Sequence, residues 1–344
     1  MASRKDVAVK AGVSEATVSR VLNGIGPMRE DTKNRVLAAA DLLGYHPSSL
    51  ARSLARGRSG NIGVVLPYLP KVRLLSTPYF SEILSGIGEV AQEYGYNLLL
   101  LFWEPGTGDF AKWYYTQKVD ACLFLGASDL PQDKKEFCRL RAEGLPFCLI
   151  NQHFDEDLFN VVDASHNSGS QQAVRHLLQQ GYGRIAFLNG PMRYSNSRDR
   201  LVGYRRALEE AGLRFEEKLL FTGNYSSKSG RVAARDILEA NCGIDAVFAA
   251  NDRMAIGFLQ GCRESNGTHK QAIAVVGYDN SEEARLTEPS ITSVHVPFFE
   301  MGRLAAHKLL ERLSSEAVDE TFHEVLETTL VVRKSSLTHE GGCS

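Results

Sequence analysis

Residues 5–24 read KDVAVKAGVSEATVSRVLNG, and this stretch decides the fold of the start of the chain. Apolar residues recur in it at helical spacing, at Val7, Ala8 and Ala11 and again at Val18, Val21 and Leu22. Ser3 with Asp6 can cap a first helix, Gly12 supplies a turn, and Ser14 is a good cap for a second helix. The pattern therefore predicts two short helices joined by a tight turn.

A third helix is predicted from Glu30 to Leu43, ending at Gly44. We expect it to bury the apolar side chains Val36, Leu37, Ala40 and Leu43. Arg29 stands before it where a Ser or Thr would cap, so we expect this helix to begin less firmly. Three short helices with a tight turn between the first two are a helix-turn-helix arrangement, although any small three-helix unit shares the pattern.

Charge is unevenly distributed along the chain. The formal charge of the 344 residues is −2. Residues 1–60 carry 10 Lys or Arg against 5 Asp or Glu, whereas the remainder carries 29 against 36. A basic head on a larger acidic body favours an anionic partner for the head.

Composition excludes several classes of protein. With 43% hydrophobic and 23% charged residues the chain is neither disordered nor collagen-like, and its length suggests two or three domains. The longest apolar stretch, residues 98–103, is far short of the roughly 20 residues of a membrane span, and the first residues contain no secretion signal. The 6 cysteines form no CxxC pair and stand near no His at metal-ligand spacing. We therefore expect a cytoplasmic protein without a metal, a cofactor or membrane contact.

The headpiece sequence resembles that of a known family. KDVAVKAGVSEATVSRVLNG is similar, nearly position for position, to the start of the LacI/GalR family of bacterial transcription regulators. The resemblance continues through GYHPSSLARSL (44–54) and NIGVVLP (61–67) to about Val332. It implies that the second helix lies in the major groove of operator DNA.

The resemblance also assigns DNA contacts to single residues. The family's base-reading positions match Glu15, Ala16 and Arg20, and its phosphate-positioning groups match Thr17, Ser19 and Asn23. Arg20 suits a bidentate contact with guanine, and Ala16 suits a thymine methyl group. Glu15 accepts a hydrogen bond from cytosine N4, or excludes phosphate, or is a solvated acid favoured by the first turn of its helix.

Residues 48–56, SSLARSLAR, follow Pro47 and match the family's hinge helix, which folds only on operator DNA. A helix this short is marginal alone, so folding on binding makes a switch. Leu54 stands where the family inserts a leucine into the minor groove, and Arg52 belongs to the same DNA-binding segment. Ser48 departs from the Asn that the family often has here, and an ordinary basic linker is the alternative interpretation.

From Asn61 onward, strand-like apolar runs alternate with amphipathic helices. The runs are IGVVLP (62–67), NLLLLF (97–102), ACLFLG (121–126), FCLIN (147–151), RIAFLNG (184–190), DAVFAAN (245–251) and IAVVGYD (273–279). Repeated units of this kind imply an α/β body of parallel sheets covered on both faces, in two doubly wound lobes. The resemblance implies the same body, similar to a type I periplasmic sugar-binding protein whose chain crosses three times between lobes.

These predictions divide the chain into an all-α headpiece and an α/β body. We expect a headpiece at 1–46, a hinge and linker at 47–60, an effector-binding and dimerisation domain at 61–333, and a flexible tail without heptads at 334–344. Within the body, lobe 1 is expected at about 61–160 and 292–323, and lobe 2 at about 161–291 and 324–333.

Ligands of such sheets bind where strands end, so polar and aromatic residues after strands are candidates. The predicted effector set is Tyr79, Phe80, Asn151, Arg200, Tyr225, Asn251 and Asp279, and the family's contacts match all of these but Tyr79 and Asn151. Carboxylate, amide and guanidinium groups bond sugar hydroxyls, while aromatic faces stack on the sugar ring.

Alternatives stay open for part of this set. Asn251 could simply cap the next helix, and Arg200 could pair with a surface acid, Asp199 or Glu209. At Asn151 the family more often has an acid. Tyr194 stands where purine-binding relatives carry an arginine, which disfavours a purine effector.

Two other classes of function compete with regulation. The sequence from Gly86 to Ala91 fits GxGxxA, but it lies inside an amphipathic helix, and no GxSxG, P-loop or HExxH motif is present. A secreted sugar-transport receptor would share the body but not the basic headpiece. We therefore expect a repressor of carbohydrate-use genes rather than an enzyme, a homodimer on near-palindromic double-stranded DNA that a sugar or sugar derivative switches. Whether the effector weakens or strengthens DNA binding stays open, with weakening, and so release of DNA, favoured.

Overall fold

The chain consists of two compact units, Met1–Asn61 with Trp113–Asp120 and Ile62–Lys112 with Ala121–Ser344. The computed structural model describes residues 2–24, 26–45, 58–68, 75, 77–154, 159–240, 243–265, 273–314 and 321–338. Across these ranges we find no helix with the length and apolar character needed to cross a membrane.

The headpiece contains the three predicted helices, α1 (Arg4–Ala11), α2 (Glu15–Asn23) and α3 (Glu30–Leu42). A capping box begins α1: the Ser3 hydroxyl accepts from the amide of Asp6 (3.3 Å), and the Asp6 carboxylate accepts from the amide of Ser3 (2.7 Å). Ser14 caps α2 by accepting from the amide of Thr17 (3.1 Å). Both predicted caps are confirmed, and they fix where the two helices of the motif begin.

A small core holds these helices together. It is built from buried Val7, Ala8, Ala11, Val18, Val36, Ala39 and Ala40. Leu37 was expected in this core but is 44% exposed, because the buried stripe of α3 runs through residues 36, 39 and 40 and position 37 lies off it. Arg29 makes no side-chain cap to α3, as its sequence position predicted.

The second unit contains two six-stranded sheets, one in each lobe. Lobe 1 has β1 (Asn61–Pro67), β2 (Asn97–Trp103), β3 (Ala121–Leu125), β4 (Phe147–Ile150), β5 (Val161–Ala164) and β11 (His323–Leu326), in the order β11-β5-β4-β3-β1-β2. Lobe 2 has β6 (Ile185–Asn189), β7 (Leu220–Thr222), β8 (Ala246–Ala249), β9 (Ala274–Asp279), β10 (Thr292–His295) and β12 (Thr329–Val331), in the order β12-β10-β9-β8-β6-β7.

Helices connect and cover these strands. They are α4 (Pro78–Glu93), α5 (Ala111–Tyr115), α6 (Pro131–Ala142), α7 (His166–Gln179), α8 (Ser195–Glu210), α9 (Ser227–Glu239), α10 (Asp252–Glu264), α11 (Glu282–Leu286) and α12 (Phe298–Ser314). α4 packs on α12, α7 on α8, and α9 on α10. The strands β3, β4 and β8 are buried along their whole length, as parallel strands covered on both faces must be.

The three crossings between lobes lie a few residues later than the sequence predicted. β5 was placed in lobe 2, yet Ile150 of β4 pairs with Val162, so β5 completes the sheet of lobe 1. β10 was placed in lobe 1, yet it pairs with β9 of lobe 2. Most of β11 was also misplaced, because it pairs in parallel with β5. The chain finishes a paired strand before it crosses, since pairing satisfies the backbone, and composition does not reveal which sheet provides the partner.

The expected flexible tail from residue 334 is also corrected. Ser335 and Ser336 are buried in lobe 2. The Ser335 hydroxyl donates to the carbonyl of Val275 (2.5 Å), and the Ser336 hydroxyl lies 2.7 Å from His176 Nε2. Residues up to 338 therefore belong to the lobe, and residues 339–344 lie outside the described part of the chain.

Gly257 sets the separation of α9 and α10. A Cβ at this position would lie 1.9 Å from the carbonyl oxygen of Ser227 on the facing helix. We expect Gly257→Ala to lower the free energy of unfolding by about 3 kcal/mol or more, because two backbones would have to separate. Gly183→Ala is the matched control, since a Cβ there meets no atom within 4 Å and should change stability by at most about 0.5 kcal/mol. Urea unfolding measures both, and equal stabilities would contradict this packing.

Candidate functional site

One face of α2 presents the predicted base-reading residues. Glu15, Ala16 and Arg20 are all exposed, while Thr17 and Ser19 are half-buried. Asn23, predicted to contact phosphate, is instead buried, and its amide donates to the Ser19 hydroxyl (3.3 Å). Side chains at positions 16 and 20, one turn apart, share one side of the helix, with position 15 beside them, so this exposed surface is free to enter a groove. Arg52 and Leu54, the two predicted hinge residues, lie outside the described residues.

The predicted effector residues are brought together where strands of the two lobes end. Asn151 follows β4, Asn251 follows β8, Asp279 ends β9, and Tyr225 follows β7. Three of these non-glycine residues adopt positive φ, at 60° for Asn151, 65° for Tyr225 and 102° for Asp279. Such backbone strain persists where surrounding structure enforces it, and it is enriched at ligand sites.

Arg200 is the central cation of this region. It is 2% exposed, its guanidinium lies 4.1 Å from the centroid of the Tyr278 ring, and Nη2 lies 3.5 Å from His166 Nδ1. Within the described residues its buried Nε has no hydrogen-bond partner. The alternative of a surface ion pair with Asp199 or Glu209 is therefore wrong, and an unsatisfied donor is available for a ligand oxygen.

Asp279 supplies a buried carboxyl group to the same region. Burial raises the pKa of its carboxyl well above the ordinary value, and the Arg200 guanidinium opposes that rise. Burial also disfavours the charged form of Arg200, but nearby Tyr225, Tyr278 and Asp279 outweigh it and raise the pKa of Arg200. A guanidinium and a carboxyl group in one poorly solvated region offer hydrogen-bond donors and acceptors to a neutral ligand rich in hydroxyl groups.

A hydrogen-bonded chain joins the two lobes beside this pair. His166 Nε2 lies 2.7 Å from Asn151 Oδ1, and His166 Nδ1 lies 3.1 Å from the Tyr278 hydroxyl. Burial lowers the pKa of His166 to about 3, so the ring is neutral at neutral pH. Because an amide oxygen only accepts, Nε2 donates to Asn151 and Nδ1 accepts from Tyr278. Asn151 is thus engaged with the facing lobe in this structure.

Aromatic side chains form the lobe 1 wall. Tyr79 packs edge-on against Phe80 (4.6 Å between ring centroids) and against Phe298 (5.4 Å). The Tyr79 hydroxyl accepts from the amide of Gly126 (3.2 Å) and donates to the carbonyl of Ile150 (3.4 Å), so its polar end is occupied by backbone. Phe298 was missed from the sequence; its position just after β10, at the start of α12, is the signal that points to it.

Tyr225 and Asn251 belong to one hydrogen-bonded group of residues. Asn251 caps α10 by accepting from the amide of Met254 (2.9 Å) and donates to the carbonyl of Tyr225 (3.1 Å), so the capping alternative is confirmed. The Tyr225 hydroxyl lies 2.5 Å from the Ser197 hydroxyl and donates to Asn196 Oδ1 (3.1 Å). Asn196 and Ser197 were also missed, although the polar run SNSRDR opening α8 marks them.

These features define a class of protein: a two-lobed body with a polar, aromatic-walled site between lobes, preceded by a helix-turn-helix unit. Residues 4–48 match the model of the bacterial regulatory proteins of the lacI family, and residues 174–336 match that of the periplasmic binding protein-like domain. The HTH-type transcriptional regulator CelR of Thermobifida fusca is 34% identical over 336 residues, 96% of each chain.

Solved structures agree with these matches. The lac repressor dimer bound to operator and the anti-inducer ONPF has a TM-score of 0.83 at 28% identity, covering 98% of this chain and 99% of that one. A CelR–cellobiose complex has a TM-score of 0.72 at 32% identity, covering 97% and 100%. The chain belongs to the LacI family, and it is a helix-turn-helix transcriptional regulator. The predicted family and fold class are confirmed, and the transport-receptor alternative is not supported.

Proposed function

We propose that this regulator represses carbohydrate-use genes and that a sugar or sugar derivative bound between its lobes switches its hold on operator DNA. The observation that carries the proposal is the buried Arg200, whose Nε has no hydrogen-bond partner among the described residues and whose guanidinium interacts electrostatically with Asp279. A buried unsatisfied donor costs about 1–3 kcal/mol, which a ligand hydroxyl recovers on binding. The cellobiose complex of CelR, a relative of matching length, supports a sugar as the class of effector.

The site is suited to binding rather than to catalysis. Tyr79, Phe80 and Phe298 offer an apolar wall, and Arg200 with Asp279 offers a guanidinium and a carboxyl group for hydrogen bonding. This combination of ring stacking and hydroxyl recognition fixes a sugar in one orientation. Relatives of this chain are regulators, and we propose that it acts as a non-enzymatic, cytoplasmic, DNA-associated switch.

The regulator acts as a homodimer in this proposal. Two copies of α2 would read two half-sites of a near-palindromic operator, because a two-fold protein matches a two-fold site. A ligand that favours one spacing of the lobes would change the spacing of the headpieces. In the favoured direction, sugar binding lowers the affinity for operator DNA and releases it.

A thermal-shift screen tests the effector class. A ligand at 100 times its dissociation constant stabilises its protein by about 2.7 kcal/mol. We expect one or more mono- or disaccharides to raise the melting temperature of the full chain, and purines to leave it unchanged. A purine that raises it where no sugar does would overturn the proposed effector.

Leu54→Ala tests the proposed hinge. If the leucine wedges between base pairs, its loss forfeits about 1.5–3 kcal/mol of apolar burial, so operator affinity should fall roughly 10–150-fold. Effector affinity should not change, since the wedge lies outside the lobes. Ser53→Ala, in the same segment, is the control. Fluorescence anisotropy with labelled operator measures both variants, and an unchanged Leu54→Ala variant would remove the wedge role.

A further inference from the structure

Three side chains with metal-binding donor atoms converge where the chain crosses between the lobes. His153 follows β4, Asp163 lies on β5 and Asp199 lies on α8. One donor atom from each lies within 4.8 Å of the donor atoms of the other two. His153 Nδ1 is 2.7 Å from Asp163 Oδ2 and 3.8 Å from Asp199 Oδ2. Two of the three come from lobe 1 and the third from lobe 2.

These residues line a cavity beside the effector region, and His166 belongs to both. The cavity has a volume of about 350 Å³, and His323 and Arg206 also line it. Neither Arg200 nor Asp279 is among its lining residues. Asp199 precedes Arg200 on α8, and successive helical residues point about 100° apart, so the two side chains serve different sides of the helix.

The geometry of the donors suits a small metal ion. Zinc binds imidazole nitrogen and carboxylate oxygen at about 2.0–2.2 Å, which places tetrahedral donors about 3.4 Å apart. The separations of 2.7 and 3.8 Å from His153 Nδ1 lie on either side of that spacing. To coordinate one ion, Asp163 Oδ2 would move away from His153 Nδ1, with which it now shares a hydrogen bond, and Asp199 Oδ2 would move closer.

The surroundings of the donors favour a cation. Asp163 and Asp199 bring two carboxyl groups to the cavity, against the single guanidinium of Arg206. Asp163 is buried, and the amide of Ala164 donates to its Oδ1 (2.8 Å), which orients the carboxylate. The His323 ring, 5.9 Å from that of His153 between centroids, brings a second imidazole to the same cavity.

We propose that His153, Asp163 and Asp199 form a site for one divalent transition-metal ion of the zinc class, which bridges the two lobes. Imidazole selects zinc-like ions over magnesium and calcium, which prefer oxygen donors. Because donors from both lobes must meet around the ion, bound metal favours the lobe arrangement in which they do. The site is independent of the identity of the effector.

Metal titration of the full-length, tag-free protein tests the site after EDTA treatment and dialysis. We expect calorimetry with ZnCl₂ to give one bound ion per chain and a raised melting temperature, and MgCl₂ to give neither. Asp199→Asn, at a partly exposed position, and His153→Gln should each weaken zinc binding at least tenfold. Asp236→Asn, an exposed acid on α9, is the matched control and should bind as the unmodified protein does.

Each alternative result overturns the proposal. It fails if the unmodified protein binds no zinc, or if magnesium binds as well as zinc. It also fails if Asp199→Asn and His153→Gln both retain full affinity, because binding would then come from other donors such as the exposed thiol of Cys138. The melting temperature of each metal-free variant separates lost binding from lost folding.

Discussion

Arg200→Met is expected to weaken effector binding by about two orders of magnitude while the unliganded protein still folds. Methionine keeps much of the length of the side chain on Tyr278 but removes every donor. A ligand oxygen and Asp279 then lose the guanidinium that lies near them. A hydrogen bond to a charged group is worth about 3 kcal/mol, which corresponds to roughly 150-fold in affinity. Calorimetric titration with the sugar found in the thermal-shift screen measures the effect.

Arg235→Met on α9 is the control for loss of a positive charge, because Arg235 is exposed and away from the strand ends. It should bind effector normally. If Arg200→Met also binds normally, the effector lies elsewhere and the assignment of the site is wrong. If the variant does not fold, Asp279→Asn tests the neighbouring carboxyl group of the same site with a near-isosteric change.

Arg20→Ala is expected to reduce operator affinity and to reduce discrimination between operator and scrambled DNA. A bidentate contact between arginine and guanine is worth about 1–3 kcal/mol, and a dimer has two half-sites, so the loss is about 2–6 kcal/mol per dimer. Arg20 is exposed on α2, one turn after the exposed Ala16. Binding isotherms on both DNAs at one stated salt concentration measure the two effects.

Lys33→Ala on α3 removes the same charge from the headpiece. Any loss from this control should be equal on operator and scrambled DNA, because a phosphate contact carries no sequence information. An equal loss for Arg20→Ala on the two DNAs would make Arg20 a phosphate contact and would remove its role in base reading.

Local signals in the sequence predicted the headpiece well. Ser3 and Ser14 accept hydrogen bonds from backbone amides that have no partner within their own helix. Such caps depend on only a few neighbouring residues, so they can be predicted from the local sequence. The prediction that Leu37 is buried was wrong, because composition does not distinguish an apolar residue on the buried stripe from one that is one position off it. The deciding quantity there is helix phase, which is fixed by packing between α1, α2 and α3.

Long-range pairing limited prediction of the body. The strands and their alternation with helices were readable, but β5, β10 and β11 each pair with a strand that local composition does not specify. The same limit applies to the sites. His166 and Phe298 join the effector region only through the fold, and positions 153, 163 and 199 meet only once both lobes have formed.

The central claim is that an effector between the lobes and DNA at the headpieces are coupled in one protein. Binding linkage requires each ligand to change the affinity of the other by the same factor, typically about 5–150-fold. The most direct measurement is titration of the sugar from the screen into the full-length protein, with and without saturating operator, in one buffer. Operator is expected to weaken sugar binding by the factor by which sugar weakens operator binding, and identical sugar affinities in the two titrations would contradict this coupling.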